Sequence, residues 1–354
     1  MKIGLIGLAA SGKTTVFQAL TALETGASFR RGKKPDNAAV VEVRDERVAH
    51  LSRMYHPAKT TYATIEIVDF AGFEKDAAGE EGLSGQTASM IRNMDALAIV
   101  LRNFPDAQER EPDPFGDLRI MEEEMLLRDL ITAENRLERI GEGYKRGRNG
   151  NGVKTEEMML RRIVTGMNEG RPVRKMDFDS EESKLIRVFQ FLTMKPLMII
   201  LNADEASFGR NAEILEKIAE SCEAVEFAGR FEMELSQMDE EEARIFMDDI
   251  GIGDSARDRL AALAYRTVNY ISFYTVGQDE VRAWPLRRGM TAVEAAGTIH
   301  SDLARGFIRA ECFSYTDLIE CGSEKKIREK GRFRLEGKGY IVRDCDILSI
   351  RSGV

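Results

Sequence analysis

The stretch Gly7-Leu8-Ala9-Ala10-Ser11-Gly12-Lys13-Thr14 satisfies the pattern G-x-x-x-x-G-K-S/T. A short apolar run, Lys2 to Ile6, precedes it, and a helix-forming segment, Thr14 to Leu23, follows it. Strand, glycine-rich turn and helix, in that order, is the context in which this pattern holds phosphate. Backbone N–H groups at a helix start face the anion, and the helix dipole favours negative charge there. The backbone of Ala9, Ala10, Ser11, Gly12, Lys13, Thr14 and Thr15 is therefore predicted to wrap a nucleoside triphosphate. Lys13 would reach the β- and γ-phosphates as the catalytic cation, and the Thr14 hydroxyl would ligate Mg²⁺.

A metal on phosphates needs a carboxylate at the end of a neighbouring strand. Ile65-Glu66-Ile67-Val68-Asp69 followed by Phe70-Ala71-Gly72 supplies it: Asp69 for the metal, and the Gly72 N–H for the γ-phosphate. The glycines between Gly79 and Gly85 suit a segment that orders around nucleotide. Farther on, the apolar run Leu197 to Leu201 leads into Asn202-Ala203-Asp204-Glu205, where guanine-specific switches carry Asn-Lys-x-Asp. A suitably placed Asp accepts from guanine N1–H and its exocyclic amine. The longer Glu205 in that place, and Ala203 in place of the Lys, predict that guanine selectivity is lost, with Asn202, Ala203 and Glu205 the candidate base-pocket residues.

Alternation of strands and helices over residues 1–116 and again over 195–270 predicts an α/β nucleotide domain with a parallel sheet, interrupted by an insertion. Within the insertion, residues 117–194, Leu126, Leu130, Ala133, Leu137 and Ile140 recur at four-three spacing, the seam of a coiled-coil hairpin. Its turn is predicted at Gly147 to Gly152, its return helix over Met158 to Met167, and a further helix over Ser180 to Leu192 opened by an Asp179/Glu182 capping box. Residues 271–354, with short strands at Ile271 to Val276, Gly306 to Cys312, Arg332 to Leu335, Tyr340 to Val342 and Ile347 to Ile350, read as a separate α+β module.

At 354 residues, 43% hydrophobic and 31% charged, the chain is that of a globular protein of two or three domains. No apolar run approaches the roughly 18 to 20 residues that cross a bilayer, so no membrane role is expected. Four cysteines without C-x-x-C spacing and three histidines give no zinc pattern, and a reducing cytosol is the expected compartment. A net charge of −9 argues against a protein coated in positive surface, and no DNA partner is expected. Between Arg139 and Lys175, however, ten Lys or Arg face four Glu, a local charge of +6 suited to a polyanion or to a solvated helical surface. A second basic run spans Lys325 to Arg334. His300 is expected to be structural, and Trp284 to lie in a core or to anchor a partner.

Several stretches together carry a family resemblance. They are Thr15 to Thr21 after the phosphate loop, Val68 to Gly72, Ala96 to Phe104, Asn202 to Glu205, Met238 to Glu242, Phe273 to Gly277, Glu280 to Trp284, Ala295 to Asp302, Arg305 to Ala310 and Arg334 to Lys338. Over essentially its whole length the chain resembles the YchF, or Obg-like ATPase, family of P-loop NTPases. The resemblance implies a C-terminal β-grasp module of the TGS type, preference for ATP over GTP through Asn-x-x-Glu, Phe104 near the adenine, and association with the ribosome or its RNA through the helical arm and the TGS module. Departures from the family pattern are equally specific. Ala10 stands where the family usually has an Asn, Gly32 where a switch threonine completes the Mg²⁺ shell, and Ala228-Gly229-Arg230 where the base loop reads Ser-Ala-Lys. Phe73, hydrophobic as in the family, follows Gly72 where many GTPases carry a water-orienting glutamine, so unaided hydrolysis is expected to be slow. The rival readings are a nucleotide-gated binding module that has largely lost hydrolysis, and a GTP-binding member of the same superfamily.

Overall fold

The computed structural model describes residues 1–21, 37–70, 74–75, 81–147, 150–250 and 253–353. Two compact units emerge, one formed by Lys2–Ala39 with Glu66–Ala256, the other by Met1, Val40–Ile65 and Arg257–Val354.

The phosphate-loop unit is built on a six-stranded sheet in the order Asn37–Val43, Ala63–Asp69, Lys2–Gly7, Ala96–Asn103, Leu197–Ala203, Glu223–Phe227. Lys2–Gly7 runs parallel to both its neighbours, and Ala96–Asn103, Leu197–Ala203 and Glu223–Phe227 continue the parallel ladder. Parallel strands covered on both faces need continuous apolar runs rather than alternation. Lys2–Gly7 buries every residue after the first, and Leu197–Ala203 buries all seven. The predicted α/β character is therefore what forms, with the phosphate loop at the carboxyl end of an interior strand.

The insertion folds as a hairpin of a long helix, Pro114–Lys145, and a return helix, Asn151–Asn168. Asp113 caps the long helix by accepting from the Gly116 N–H (2.9 Å), and Pro114 takes the first helical position, where a missing N–H costs nothing. The helix thus starts three residues before the boundary read from the sequence. Its seam is as predicted: Ala133 and Ile140 are buried, with Leu126, Leu130 and Leu137 against Met159, Leu160, Ile163 and Met167.

The helix predicted over 180–192 is much shorter, Glu182–Ile186. Its Asp179/Glu182 box does form, each side chain accepting from the other's backbone N–H (2.8 and 3.2 Å). The ladder gives way to tighter turns, Val188 N–H to Leu185 C=O (3.2 Å) and Phe189 N–H to Ile186 C=O (3.1 Å), and Gln190 at φ +49° then turns the chain out of the helix. Beyond it Asp129, fully buried on the long helix, accepts from Leu192 N–H, Thr193 N–H and the Thr193 hydroxyl at 2.7–2.8 Å and holds that segment in place. Burial pushes the Asp129 carboxyl above the usual range, while these three donors pull against that rise.

The second unit carries the sheet Arg334–Glu336, Phe307–Ser314, Asp346–Ser352, Tyr270–Thr275, Glu280–Arg287, Lys59–Thr61. Tyr270–Thr275 pairs antiparallel with Glu280–Arg287 and parallel with Asp346–Ser352, the β-grasp arrangement. The helix Ala292–Ile299, opened by a Thr291/Glu294 capping box, covers one face with Ala292, Ala295 and Ala296 on Phe273, Leu286 and Leu348. The other face is covered from residues 46–61, a segment that the sequence reading left in the nucleotide domain. The helix Glu46–Tyr55 buries Val48 and Leu51 against Tyr274, Val281 and Ile347, and Lys59–Thr61 extends the sheet edge. Asp45 caps that helix and accepts from the Tyr274 hydroxyl at 2.7 Å. Burial alone would raise the Asp45 carboxyl, but Arg47 and Tyr274 hydrogen bonds hold it below the usual range.

Three smaller expectations change. Tyr340 to Val342 makes one isolated bridge, Ile341 with Thr291, instead of a strand. Glu280–Arg287 is a strand that sequence reading missed, because Pro285 argues against an interior position. Trp284 is only half-buried: it packs on Phe273, donates to the Thr275 hydroxyl at 3.0 Å, and lies under the Arg282 guanidinium at 3.9 Å. His300 caps the short helix Ser301–Arg305, a structural role as expected.

Candidate nucleotide-binding site

At the end of Lys2–Gly7 the chain turns back on itself, the Ser11 N–H donating to Leu8 C=O at 3.2 Å. Ala10 (φ +60°) and Gly12 (φ +79°) both take left-handed conformations, which is how successive N–H groups come to point into one concavity. The helix Lys13–Thr21 starts at once, Val16 N–H bonding to Gly12 C=O at 2.9 Å. Ala9, Ala10 and Thr14 are exposed and Thr15 half-buried, so the rim of the loop is open. Ser11 is 2% exposed, and its hydroxyl has no hydrogen-bond partner among the described residues. A buried hydroxyl without a partner, within a loop of left-handed turns that exposes backbone N–H groups, fits a site for an anionic ligand.

Asp69 ends the strand beside Lys2–Gly7, opposite Leu5, and its carboxylate forms an ion pair with the Lys13 ammonium. Both are nearly buried, at 6% and 9% exposure. The two residues assigned separately from the sequence to phosphate and metal therefore meet directly. With the exposed Thr14 hydroxyl, Asp69 is a hard oxygen donor of the kind Mg²⁺ takes alongside phosphate oxygens, and the donor chemistry fits that ion.

Asn202, 3% exposed, does something the sequence alone did not reveal. Its amide nitrogen donates to Ser11 C=O (3.0 Å) and its amide oxygen accepts from Gly229 N–H (3.1 Å). The side chain thus bolts the phosphate loop to the loop at 228–229. Close packing enforces this, since a Cβ on Gly12 would stand 2.1 Å from Asn202 Nδ2, and one on Gly229 would stand 2.6 Å from Oδ1. Ala203 is buried at the strand end. Asp204 is tied into a turn by the Ser207 N–H (2.8 Å) and hydroxyl (2.6 Å), which hold its carboxyl below the usual range. Glu205, exposed, has no side-chain partner among the described residues, and is the carboxylate of this pair free to meet a ligand. Phe104 is half-buried beside the loop, its ring edge 3.7 Å from where a Gly12 Cβ would stand. The loop, Asp69, Phe104 and Asn202 thus converge. Gly72, Gly32 and Phe73 lie outside the described residues. Gly229 was visible in the sequence as a departure in the base loop, but its N–H contact with Asn202 was not.

Comparison with known proteins agrees with this geometry. Residues 2–135 match the family described as "50S ribosome-binding GTPase", and residues 270–352 match the YchF GTPase C-terminal family, described as "Protein of unknown function (DUF933)". The chain is 34% identical to "Ribosome-binding ATPase YchF" of Bacillus subtilis (strain 168), over 99% of each chain. It is likewise 34% identical to "Obg-like ATPase 1" of Oryza sativa subsp. indica, over 100% of this chain and 92% of that one. The solved structure of the Schizosaccharomyces pombe YchF GTPase superposes with a TM-score of 0.86 at 30% identity, covering 99% of this chain and 97% of that one. From loop geometry, whole-length similarity and shared architecture, the chain belongs to the YchF family.

Proposed function

We propose that this chain is a cytosolic, Mg²⁺-dependent ATP-binding protein that prefers ATP to GTP, hydrolyses ATP slowly, and uses its nucleotide state to govern contact with the ribosome. The observation that carries the reading is the Lys13–Asp69 pair beneath a loop whose Ser11 hydroxyl has no partner among the described residues. Lys13 and the N–H groups of residues 9–15 would hold the phosphates, Gly72 N–H would meet the γ-phosphate, and Thr14 with Asp69 would hold Mg²⁺. The bound ion would neutralise charge on the β- and γ-phosphates. Adenine preference rests on Glu205, with Ala203 beside it and Phe104 near the ring. Asn202 acts by fixing the two loops that shape the base pocket. Single-turnover assays with ATP and GTP, with and without ribosomes, test this: slow ATP turnover is expected. Tight ATP binding with no turnover, even with ribosomes, would favour the nucleotide-gated binding module, for which Ala10 and Phe73 already speak.

Ribosome contact is carried over from relatives named ribosome-binding ATPases, and the arm is its proposed route. Much of the arm's positive charge is locally paired: Arg161 with Glu157 (2.8 Å), Arg162 with Glu182 (2.7 Å), Arg171 with Glu169 (2.5 Å), and Arg174 with Glu122. Lys145 and Lys154 have no ion-pair partner among the described residues, and exposed Arg146 has only a loose one, Glu142 at 3.6 Å. In the second basic run Arg328, Arg332 and Arg334 are in ion pairs, while Lys325, Lys326 and Lys330 have none among the described residues. Charge reversal at Lys145, Arg146 and Lys154 is expected to weaken co-sedimentation with ribosomes, more at low salt than at high. Unchanged co-sedimentation would remove the arm from the interface.

A further inference from the structure

Against the helical arm lies a cavity of about 590 Å³, formed by four separate segments, none of them in the phosphate loop. That volume is within the range of ligand pockets, roughly 300–1,000 Å³. One wall is a single stripe of the long helix, Thr132, Asn135, Arg136 and Arg139, at the three-and-four spacing that puts side chains on one face. Arg92, just past the helix Gly85–Ile91, and Glu156 on the return helix complete the polar lining.

Three guanidiniums here meet one carboxylate. Arg136 and Glu156 satisfy each other in a two-pronged pair (2.6 and 2.9 Å). Arg92 donates to Phe189 C=O (3.2 Å) and the Thr132 hydroxyl (2.9 Å), with the buried Asp129 carboxylate close enough to interact with its charge. Arg139 is exposed and has no side-chain partner among the described residues. The lining itself therefore carries more positive than negative charge, in a protein whose net charge is −9. The opposite wall is apolar: Leu185, Phe189 and Val188, the last 80% exposed. Gln190, at φ +49°, turns the chain so that the Phe189 ring stacks on Phe191 at 5.3 Å, which fixes that wall.

We propose that this cavity binds a small phosphate monoester with a compact apolar body. Such a group carries about −1.5 to −2 charge at neutral pH, opposite in sign to the Arg92 and Arg139 guanidiniums. Its oxygens suit the planar donor forks of Arg92 and Arg139, with the Asn135 amide beside them. The ester's apolar part lies on Leu185, Val188 and Phe189, removing from water the surface that Val188 now exposes.

The test is calorimetric titration of the full-length chain with phenyl phosphate, with inorganic phosphate and phenol as controls. Saturable binding of phenyl phosphate is expected, tighter than either control. Arg139→Ala is expected to weaken it by roughly tenfold or more, the effect of losing a charge-assisted hydrogen bond. Val188→Asp, which places a negative charge on an exposed wall residue, is expected to weaken it similarly. Both variants should bind ATP as the parent does, whereas Lys13→Ala should lose ATP and keep phenyl phosphate. No saturable binding, or binding lost with Lys13→Ala and kept with Arg139→Ala, would overturn the assignment without touching the ATP reading. Binding of a phosphopeptide or a 5′-phosphorylated oligonucleotide, with phenyl phosphate ignored, would also overturn it.

Discussion

Gly12→Val is expected to abolish measurable ATP binding and to destabilise the phosphate-loop unit by about 3 kcal/mol. Two effects combine at this position. Gly12 sits at φ +79°, where a β-branched residue is strained. Any Cβ there would also stand 2.1 Å from Asn202 Nδ2, well inside contact distance. Asn202 cannot retreat without releasing Ser11 C=O and Gly229 N–H, both buried, and unmade buried hydrogen bonds are costly. The loop would then lose both its curvature and its anchor. Thermal melting with and without ATP, beside calorimetry, reads the two effects separately. A variant that melts and binds like the parent would show that Asn202 does not hold the loop.

Lys13→Ala is expected to lower ATP affinity by at least about a hundredfold, for a reason beyond the lost cation. Asp69, 6% exposed, would keep its place at the strand end with its partner gone, and would repel the phosphates. That repulsion is separable. In the absence of Mg²⁺, Lys13→Ala combined with Asp69→Asn should bind ATP more tightly than Lys13→Ala alone, since the unpaired carboxylate is then neutral. If the double variant were no better than the single, the Lys13–Asp69 pairing would not be the electrostatic unit of the site. Parent-like affinity for Lys13→Ala would exclude the loop as the nucleotide site altogether.

Local chemistry made much of this molecule legible in its sequence. The phosphate loop, the Asp69 strand and the arm's apolar seam are short-range patterns, and each forms where its residues predict. Features decided by distant partners were not legible. The helix Glu46–Tyr55 is amphipathic in any context, but nothing local says that Val48 and Leu51 will cover the back of a sheet five of whose six strands begin more than two hundred residues later. Asp129 reads as an ordinary polar position on a helix, yet it is buried and holds the Leu192 and Thr193 N–H groups more than sixty residues away. Asn202 was read as a base-pocket residue, and its structural contacts are with two backbone groups 191 and 27 residues away. Pro285 hid an interior strand, and the cavity against the arm draws its lining from segments that share no motif.

Parallel calorimetric titrations of the full-length chain with Mg²⁺·ATP and Mg²⁺·GTP bear most directly on the nucleotide assignment. ATP is expected to saturate one site, with GTP at least about tenfold weaker because Glu205 and Ala203 do not reproduce the guanine contacts. Equal or tighter binding of GTP, or no heat from either nucleotide, would contradict it.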